Sequence, residues 1–343
     1  MRRVIASIPI DDRAQFIALH PDGARAYACS NESGTVSVID TSTKKTIGVV
    51  RVAVTTAGMA IHPSGTKLYV ATPLNNGPAA ASPVGAVRVI DTVTNKLIAN
   101  ILIEDNPLGL AIHPNGTRLY VGCRENHSVK VIDLASASVS ATIDVDSVDY
   151  WLAVSPNGSH LYVSSGDTRQ VIVVDTATNL VTARIPLAEQ PWMIAVSPDS
   201  AHAYIGAGQL NDDTGTLYVC DTASKAISAT IPMAGVPLGA SFSQDGRHVY
   251  VSNGGVLSVI ATATNSVVET VTIADSVSGV ALSPDQKRIY ATDGHNSSVA
   301  VIEDHPLPSI KEAVARIRWL LDIVLPRVFE KPPRPTSLIG EPQ

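Results

Sequence analysis

The stretch HPNGTRLY, residues 113–120, is one copy of a unit that the chain repeats. Its Pro-Asn-Gly core is typical of a tight turn, because proline fixes the first turn dihedral and glycine tolerates positive φ. A strand-like segment that carries a tyrosine follows. Equivalent tyrosines recur at intervals of roughly 40 to 50 residues, at Tyr27, Tyr69, Tyr120, Tyr162, Tyr204, Tyr250 and Tyr290.

Each repeat has the same internal order of short apolar segments and turns. An apolar run such as LAIHP precedes the turn, and a second strand such as VIVVD follows the tyrosine. A DTxT turn then leads to a last alternating strand such as VTARIPL. Four short strands per unit, repeated about every 40 residues, indicate a propeller blade. The sequence therefore predicts an all-β, seven-bladed β-propeller over residues 1–303.

The seventh unit, which runs from Val280 to Glu303, lacks the outermost strand that the other units have. Residues 4–10, VIASIPI, resemble the outermost strands at 181–187 and 227–233. An open ring would leave unpaired strand edges exposed to water and to other chains. We therefore expect residues 4–10 to pair beside Val299–Ile302, complete the seventh blade and close the ring.

The motifs around the tyrosines resemble the YVTN family of propeller repeats. They read YVAT at 69–72, YVSS at 162–165 and YVSN at 250–253, and are followed by VIDT or VVDT. The resemblance covers residues 1–303 and implies a seven-bladed β-propeller whose relatives are often exported or surface-associated. Propellers host binding, scaffold and catalytic roles alike, so the fold implies no activity by itself.

Residues 304–343 differ in composition from the repeats. Ser309 and Glu312 form a capping box, and apolar residues at helical spacing predict an amphipathic helix over 309–325. Its charged residues exclude a membrane span. The helix is expected to dock on the propeller or to bind a protein partner, and the proline-rich tail that follows is expected to lack regular structure.

Composition excludes several classes of function. A formal net charge of −6 argues against a nucleic-acid partner, which would need a basic face. No apolar stretch is long enough to span a bilayer. The segment MRRVIASIPI lacks the features of a secretory signal, which predicts a cytoplasmic protein, or an exported one if the sequence shown lacks its leader. The three cysteines are expected to be buried apolar residues.

Aromatic residues outside the repeated tyrosines gather just before the innermost strands. The pattern typical of the family there is Pro-x-Gly, which this chain has at 107–109 and 237–239, but three units carry rings instead: Phe16, Tyr150, Trp151 and Trp192. The loops that enter the innermost strands surround one mouth of the central channel. We therefore expect a site that stacks a flat or cationic ligand. Rings that simply plug the channel are the alternative.

The same entry segments carry several acids and an amide. The residues expected to contribute to ligand binding besides the rings are Gln15, Glu104, Asp105, Asp146, Asp149 and Glu189. A ring of carboxylates would create a negative potential that favours cations, amines or a basic peptide. No cofactor and no dedicated metal site are predicted, although such a mouth could also attract a metal ion.

Three functions are compatible with this pattern. The first is binding of a small molecule or basic peptide at the mouth. The second is a lyase, cyclase or hydrolase in which Asp149 transfers protons, with the loop histidines His127 and His295 as further candidates. The third is a scaffold whose C-terminal helix recruits a protein. A nucleophile elbow, a phosphate loop and a zinc spacing are all missing from the sequence.

Overall fold

The computed structural model describes residues 2–73, 85–145, 151–210 and 212–304. These residues form seven four-stranded antiparallel sheets and contain no helix. The expected helix at 309–325 and the proline-rich tail lie outside the described residues, as do Asp146, Asp149 and Tyr150. Over these residues the protein is an all-β, seven-bladed β-propeller.

The first four blades follow one another along the chain, each with its innermost strand first. Blade 1 contains β2 (Ala14–Leu19), β3 (Arg25–Ser30), β4 (Thr35–Asp40) and β5 (Lys45–Arg51). Blade 2 contains β6 (Met59–Ile61), β7 (Lys67–Thr72), β8 (Gly85–Asp91) and β9 (Lys96–Ile103). Blade 3 contains β10 (Pro107–Ile112), β11 (Arg118–Cys123), β12 (Ser128–Asp133) and β13 (Ser138–Asp144), and blade 4 contains β14 (Leu152–Val154), β15 (His160–Ser165), β16 (Gln170–Asp175) and β17 (Leu180–Pro186).

The last three blades have the same strand order, and the seventh takes its outer strand from the beginning of the chain. Blade 5 contains β18 (Pro191–Val196), β19 (His202–Ala207), β20 (Gly215–Asp221) and β21 (Ala226–Met233). Blade 6 contains β22 (Pro237–Phe242), β23 (His248–Asn253), β24 (Val256–Ala261) and β25 (Ser266–Thr272). Blade 7 contains β26 (Val277–Leu282), β27 (Arg288–Asp293), β28 (Ser298–Glu303) and β1 (Arg3–Pro9).

The core of the protein lies between neighbouring blades. The central strands of each blade carry aliphatic residues on both faces, and these pack against the next sheet. Val131 of blade 3, for example, shares a buried cluster with Leu161 of blade 4. A single four-stranded sheet cannot bury both of its faces, so each blade depends on its two neighbours.

The three cysteines lie within these packed layers. Burial raises the pKa of the Cys29 and Cys123 thiols to about 12 and that of Cys220 to about 11. All three thiols are therefore protonated at neutral pH and poor nucleophiles.

The ring is closed by pairing between β1 and β28. The two strands are antiparallel, with Val4 opposite Ile302 and Pro9 opposite Ser298. Ile8 is fully buried in this blade and joins a cluster with Ala26 and Ile39 of blade 1. The beginning of the chain thus contributes both a strand and part of the contact between blades 7 and 1.

A buried ionic cluster between blades 6 and 7 strengthens this closure. The Arg2 side chain is only 1% exposed, and its Nε lies 2.5 Å from Asp304 Oδ1 while its Nη1 lies 2.6 Å from Glu269 Oε2. The Tyr250 hydroxyl donates to Asp304 Oδ2 at 2.6 Å. Burial disfavours the charged form of Glu269, but hydrogen bonds from Arg2 outweigh burial and lower its pKa. Arg2 therefore holds carboxylates of blades 6 and 7 together.

Histidines of the repeated turn connect the early blades. Their Nε2 atoms lie within hydrogen-bond distance of a glycine carbonyl oxygen in the next blade: His20 at 3.0 Å from Gly65, His62 at 3.0 Å from Gly116, and His113 at 3.1 Å from Gly158. Because a carbonyl oxygen only accepts, Nε2 carries the proton. These histidines are structural links between blades.

We predict that Arg2→Met lowers the free energy of unfolding by about 3–5 kcal/mol, because the change leaves two carboxylates buried without their cation. Equilibrium unfolding in urea measures the effect. Arg3→Met is the control, since the Arg3 side chain is 75% exposed and such a surface pair contributes less than about 1 kcal/mol. Equal unfolding midpoints for the two variants would contradict the prediction.

The cluster also predicts a pH dependence. The pKa of Glu269 is lowered in the folded protein, so its contribution to stability is present above the unfolded pKa of about 4.3 and is lost as pH falls through the folded value. In Arg2→Met that stabilising contribution is absent. We expect the variant to lose less stability than the wild type between about pH 5 and pH 3, measured as urea midpoints across that range.

We further predict that Gly116→Ala destabilises the protein by about 1–3 kcal/mol. Gly116 has a φ of 73°, and a Cβ there would lie 2.7 Å from His62 Nε2. Gly48→Ala is the matched control, because a Cβ at Gly48 meets nothing within 4 Å. Thermal unfolding of both variants provides the comparison, and an unchanged midpoint for Gly116→Ala would show that the turn tolerates a side chain.

Candidate functional site

Three aromatic side chains from different blades line one cavity at the mouth of the channel, where the innermost strands begin. Phe16 lies in β2, Trp151 directly precedes β14, and Trp192 lies in β18. The cavity has a volume of about 210 Å³. Its other described lining residues are Gln15, Asn31, Leu210, Leu238 and Ser278.

Phe16 and Trp151 stack on each other across the channel. Their ring centroids are 5.8 Å apart, and the ring planes differ by 28°. A second cavity of about 130 Å³ lies deeper along the innermost strands, and Ile17, Met59 and Val280 contribute to its lining. The stacked pair borders both cavities. The rings therefore obstruct the channel and also form a surface of the cavity at the mouth.

Both indole N–H groups at the mouth are used by the protein itself. Trp151 Nε1 donates to the carbonyl oxygen of Ile194 at 2.7 Å, and Trp192 Nε1 donates to that of Gly208 at 2.8 Å. These bonds fix the orientation of the two rings. A ligand would therefore meet the ring faces and edges rather than the indole donors.

A polar cavity of about 290 Å³ adjoins the aromatic one. The two share Gln15, Asn31 and Ser278 in their linings. The polar cavity also contains Arg13 and Glu32, whose Nη1 and Oε1 atoms are 3.7 Å apart. A ligand that stacks on the rings could extend a polar substituent towards this side.

Carboxylates from the predicted set occupy different environments. Asp105 is only 3% exposed, and it accepts hydrogen bonds from its neighbour Asn106 N at 2.7 Å and from Asn126 Nδ2 at 2.9 Å. It thereby stabilises the loop between β11 and β12. Glu189 Oε1 accepts a hydrogen bond from Thr216 Oγ1 at 3.2 Å, and Glu104 is exposed. The described lining of the aromatic cavity contains no carboxylate.

The two candidate histidines are not brought together. His127 lies in the loop between β11 and β12 with a φ of 46°, at the turn position that Ser297 occupies in blade 7 with a φ of 48°. His295 is exposed and lines the polar cavity. Blades 3 and 7 are separated by at least two other blades. Within the described ranges, no group of three or more His, Cys, Asp or Glu residues could hold a metal ion.

Some lining residues were not anticipated from the sequence. Leu210 lies in the enlarged loop of blade 5, and Leu238 is the middle residue of the Pro-x-Gly pattern at 237–239, which carries no ring. Asn31 follows β3 and donates through Nδ2 to Gln15 Oε1 at 3.2 Å. Their positions follow from ring closure, which brings together loops of blades far apart in the sequence.

Comparison with known proteins supports the fold and no more. No family model matches the chain, and no curated protein matches it. A solved structure of hydrazine synthase from Kuenenia stuttgartiensis is similar, with a TM-score of 0.75 and 21% sequence identity over 86% of this chain and 97% of that chain. Membership of the YVTN repeat family stays a prediction. Among the described residues, no helix is long and apolar enough to cross a membrane.

We predict that Trp151→Ala destabilises the protein by about 3 kcal/mol, whereas Trp192→Ala costs about 1 kcal/mol. The reason is that Trp151 packs against two buried clusters, while Trp192 mainly borders the cavity. Urea unfolding of the two variants measures the difference. If Trp192→Ala were as destabilising as Trp151→Ala, Trp192 would be a core residue rather than part of a binding surface.

Proposed function

We propose that this propeller binds a small molecule with a flat ring, neutral or cationic, at the mouth of its channel. The observation that carries the proposal is the convergence of Phe16, Trp151 and Trp192 on one cavity. Only 4% of the residues in the chain are aromatic. Three of the few rings outside the repeated tyrosines border the same space.

Stacking is the interaction that these rings offer. Flat ligands pack on aromatic faces, and cationic groups gain further attraction from the negative face of the ring. Leu210 and Leu238 add apolar contact around the rings. Because Asn31 donates to Gln15 Oε1, the Gln15 Nε2 group is left to donate to a polar substituent of the ligand.

The dimensions of the site suit a small ligand. Sites for drug-sized molecules measure about 300–1,000 Å³. The aromatic cavity of about 210 Å³ is smaller than this range, but it adjoins the polar cavity of about 290 Å³. We therefore place the flat ring on the aromatic side and a polar group near Gln15 and Asn31.

Binding is preferred over catalysis because no ionisable side chain is among the described residues that line the aromatic cavity, where the flat ring would lie. Arg13, Glu32 and His295 line only the adjoining polar cavity. Asp149, the carboxylate expected to transfer protons, lies outside the described residues. The acidic character of the mouth and a partner for the C-terminal helix also stay predictions. A cation held at the rings would be stabilised mainly by their faces.

Three probes with one bicyclic skeleton test the proposal: quinoline, N-methylquinolinium and decahydroquinoline. Decahydroquinoline is a cation at neutral pH, like N-methylquinolinium, but lacks a π face, so we expect it to bind at least about tenfold more weakly than N-methylquinolinium. Titration calorimetry on the full chain measures the affinities. A preference for N-methylquinolinium over quinoline would identify a cationic ligand class.

Trp192→Ala should weaken binding of the preferred flat probe by about tenfold. Phe242→Leu is the control, because Phe242 packs on Tyr204 and does not line the cavity at the mouth. Equal affinity for N-methylquinolinium and decahydroquinoline, or full affinity of Trp192→Ala, would overturn the proposal.

A further inference from the structure

A cavity of about 480 Å³ lies between blades 5 and 6, beside the turns that follow their innermost strands. These turns are at the opposite ends of the innermost strands from the channel mouth. Its lining includes His202 and Tyr204 of blade 5, and Phe242, Asp245 and Thr262 of blade 6. We call this space the 5/6 cleft.

At three other junctions, between blades 1 and 2, 3 and 4, and 7 and 1, the equivalent position contains a guanidinium group of the chain itself. An arginine two residues before the repeated tyrosine donates to a threonine carbonyl oxygen in the next blade: Arg25 to Thr92, Arg118 to Thr176 at 2.5 Å, and Arg288 to Thr41 at 2.9 Å. Arg118 also places its Cζ 5.9 Å from the Tyr120 ring centroid.

The junction between blades 6 and 7 also contains a guanidinium group, but this group does not come from the repeat. Arg2 reaches it from outside the repeat, with its Cζ 5.3 Å from the Tyr250 ring centroid. Its charge is balanced by Glu269 and Asp304. Four junctions are therefore filled by a cation that lies near the repeated tyrosine or bonds to the next blade.

The 5/6 cleft has hydrogen-bond acceptors like those that receive the guanidinium groups at the other junctions. It has no arginine two residues before its repeated tyrosine. His202 stands two residues before Tyr204, where blades 1, 3 and 7 have arginine. Thr262 is the counterpart of Thr41, Thr92 and Thr176, and it lines the cleft. The Tyr204 ring packs edge-on against Phe242, with centroids 5.2 Å apart.

Two carboxylates add negative charge at this cleft. A hydrogen bond from Ser197 Oγ to Asp199 Oδ1, at 2.5 Å, lowers the pKa of Asp199. Burial opposes ionisation of Asp245, but hydrogen bonds from Ser243 Oγ and Arg247 N outweigh it and lower the pKa of that group too. Both side chains are therefore charged at neutral pH and can accept from a cation, although Asp245 Oδ2 already lies 3.7 Å from Nε of Arg247, whose side chain is 82% exposed.

We propose that the 5/6 cleft binds a guanidinium group, carried either by a free arginine-like molecule or by an arginine side chain of a partner protein. A guanidinium is planar, always charged and donates in several directions at once. It can bond to the Thr262 carbonyl oxygen and to a carboxylate while it lies against the Tyr204 ring. Within the chain, Arg118 bonds to a threonine carbonyl oxygen beside the Tyr120 ring, and Arg2 bonds to carboxylates beside the Tyr250 ring.

The probes are N-acetyl-arginine amide, N-acetyl-citrulline amide and the capped tripeptide acetyl-Gly-Arg-Gly-amide. Citrulline has nearly the shape of arginine but no charge, so we expect calorimetry to detect binding of the arginine compounds only. A tripeptide that binds more than about tenfold tighter than arginine amide indicates a protein partner, while equal affinity indicates a free guanidino compound.

Asp199→Asn and Asp245→Asn should each weaken binding of arginine amide by about tenfold, since each removes a charged acceptor. Asp285→Asn is the matched control. Asp285 accepts from Ser283 Oγ at 2.6 Å in the corresponding turn of blade 7 and does not line the cleft.

His202→Arg offers a second, independent readout. The new side chain should occupy the cleft as Arg118 and Arg288 occupy theirs, abolish binding of arginine amide and raise the thermal midpoint. His160→Arg is the control, because His160 holds the same repeat position in blade 4 and does not line the cleft, so binding should stay intact. Equal binding of the citrulline compound, full affinity in both aspartate variants, or unchanged affinity in His202→Arg would overturn the proposal.

Discussion

No blade of this protein can bury both of its faces, so the fold depends on closing the ring. The pairing of β1 with β28 supplies this closure. Arg2 reinforces it, because its guanidinium joins Glu269 of blade 6 to Asp304 at the end of β28. Burying three ionised groups is costly unless they are paired, and here each finds a partner at hydrogen-bond distance. Backbone pairing between β1 and β28 and the buried ionic cluster around Arg2 therefore both hold the ring closed.

Ring closure also determines which side chains of different blades come together to form candidate binding sites. Equivalent residues of different blades lie at the same level of the ring, so substitutions at one repeat position converge in space. At the mouth, this brings Phe16 onto Trp151 and places Trp192 beside them. At the opposite ends of the innermost strands, arginine or histidine links most of the junctions, whereas the cleft between blades 5 and 6 is open. Both candidate sites are places where the repeat departs from its own pattern.

Much of this architecture could be predicted from the sequence, because the repeat encodes its own turns and strand order. The seven tyrosines located the blades, and the similarity of residues 4–10 to outer strands indicated the pairing with β28. The gathering of rings before the innermost strands was also visible. Side-chain contacts between positions far apart in the sequence could not be predicted in this way. Nothing local to Arg2 indicates a bond to Asp304, and nothing near Asp105 indicates that its carboxylate supports the loop between β11 and β12.

Hydrogen exchange of the full-length protein, followed by mass spectrometry, tests the closure most directly. The account predicts that amides of β1 and β28 are protected to the same extent as those of the complete blades, and that β1 and β28 become exposed together as denaturant is added. Exchange of the β1 amides within seconds, while the other strands stay protected, would show that the ring holds without its closing strand and would contradict the account.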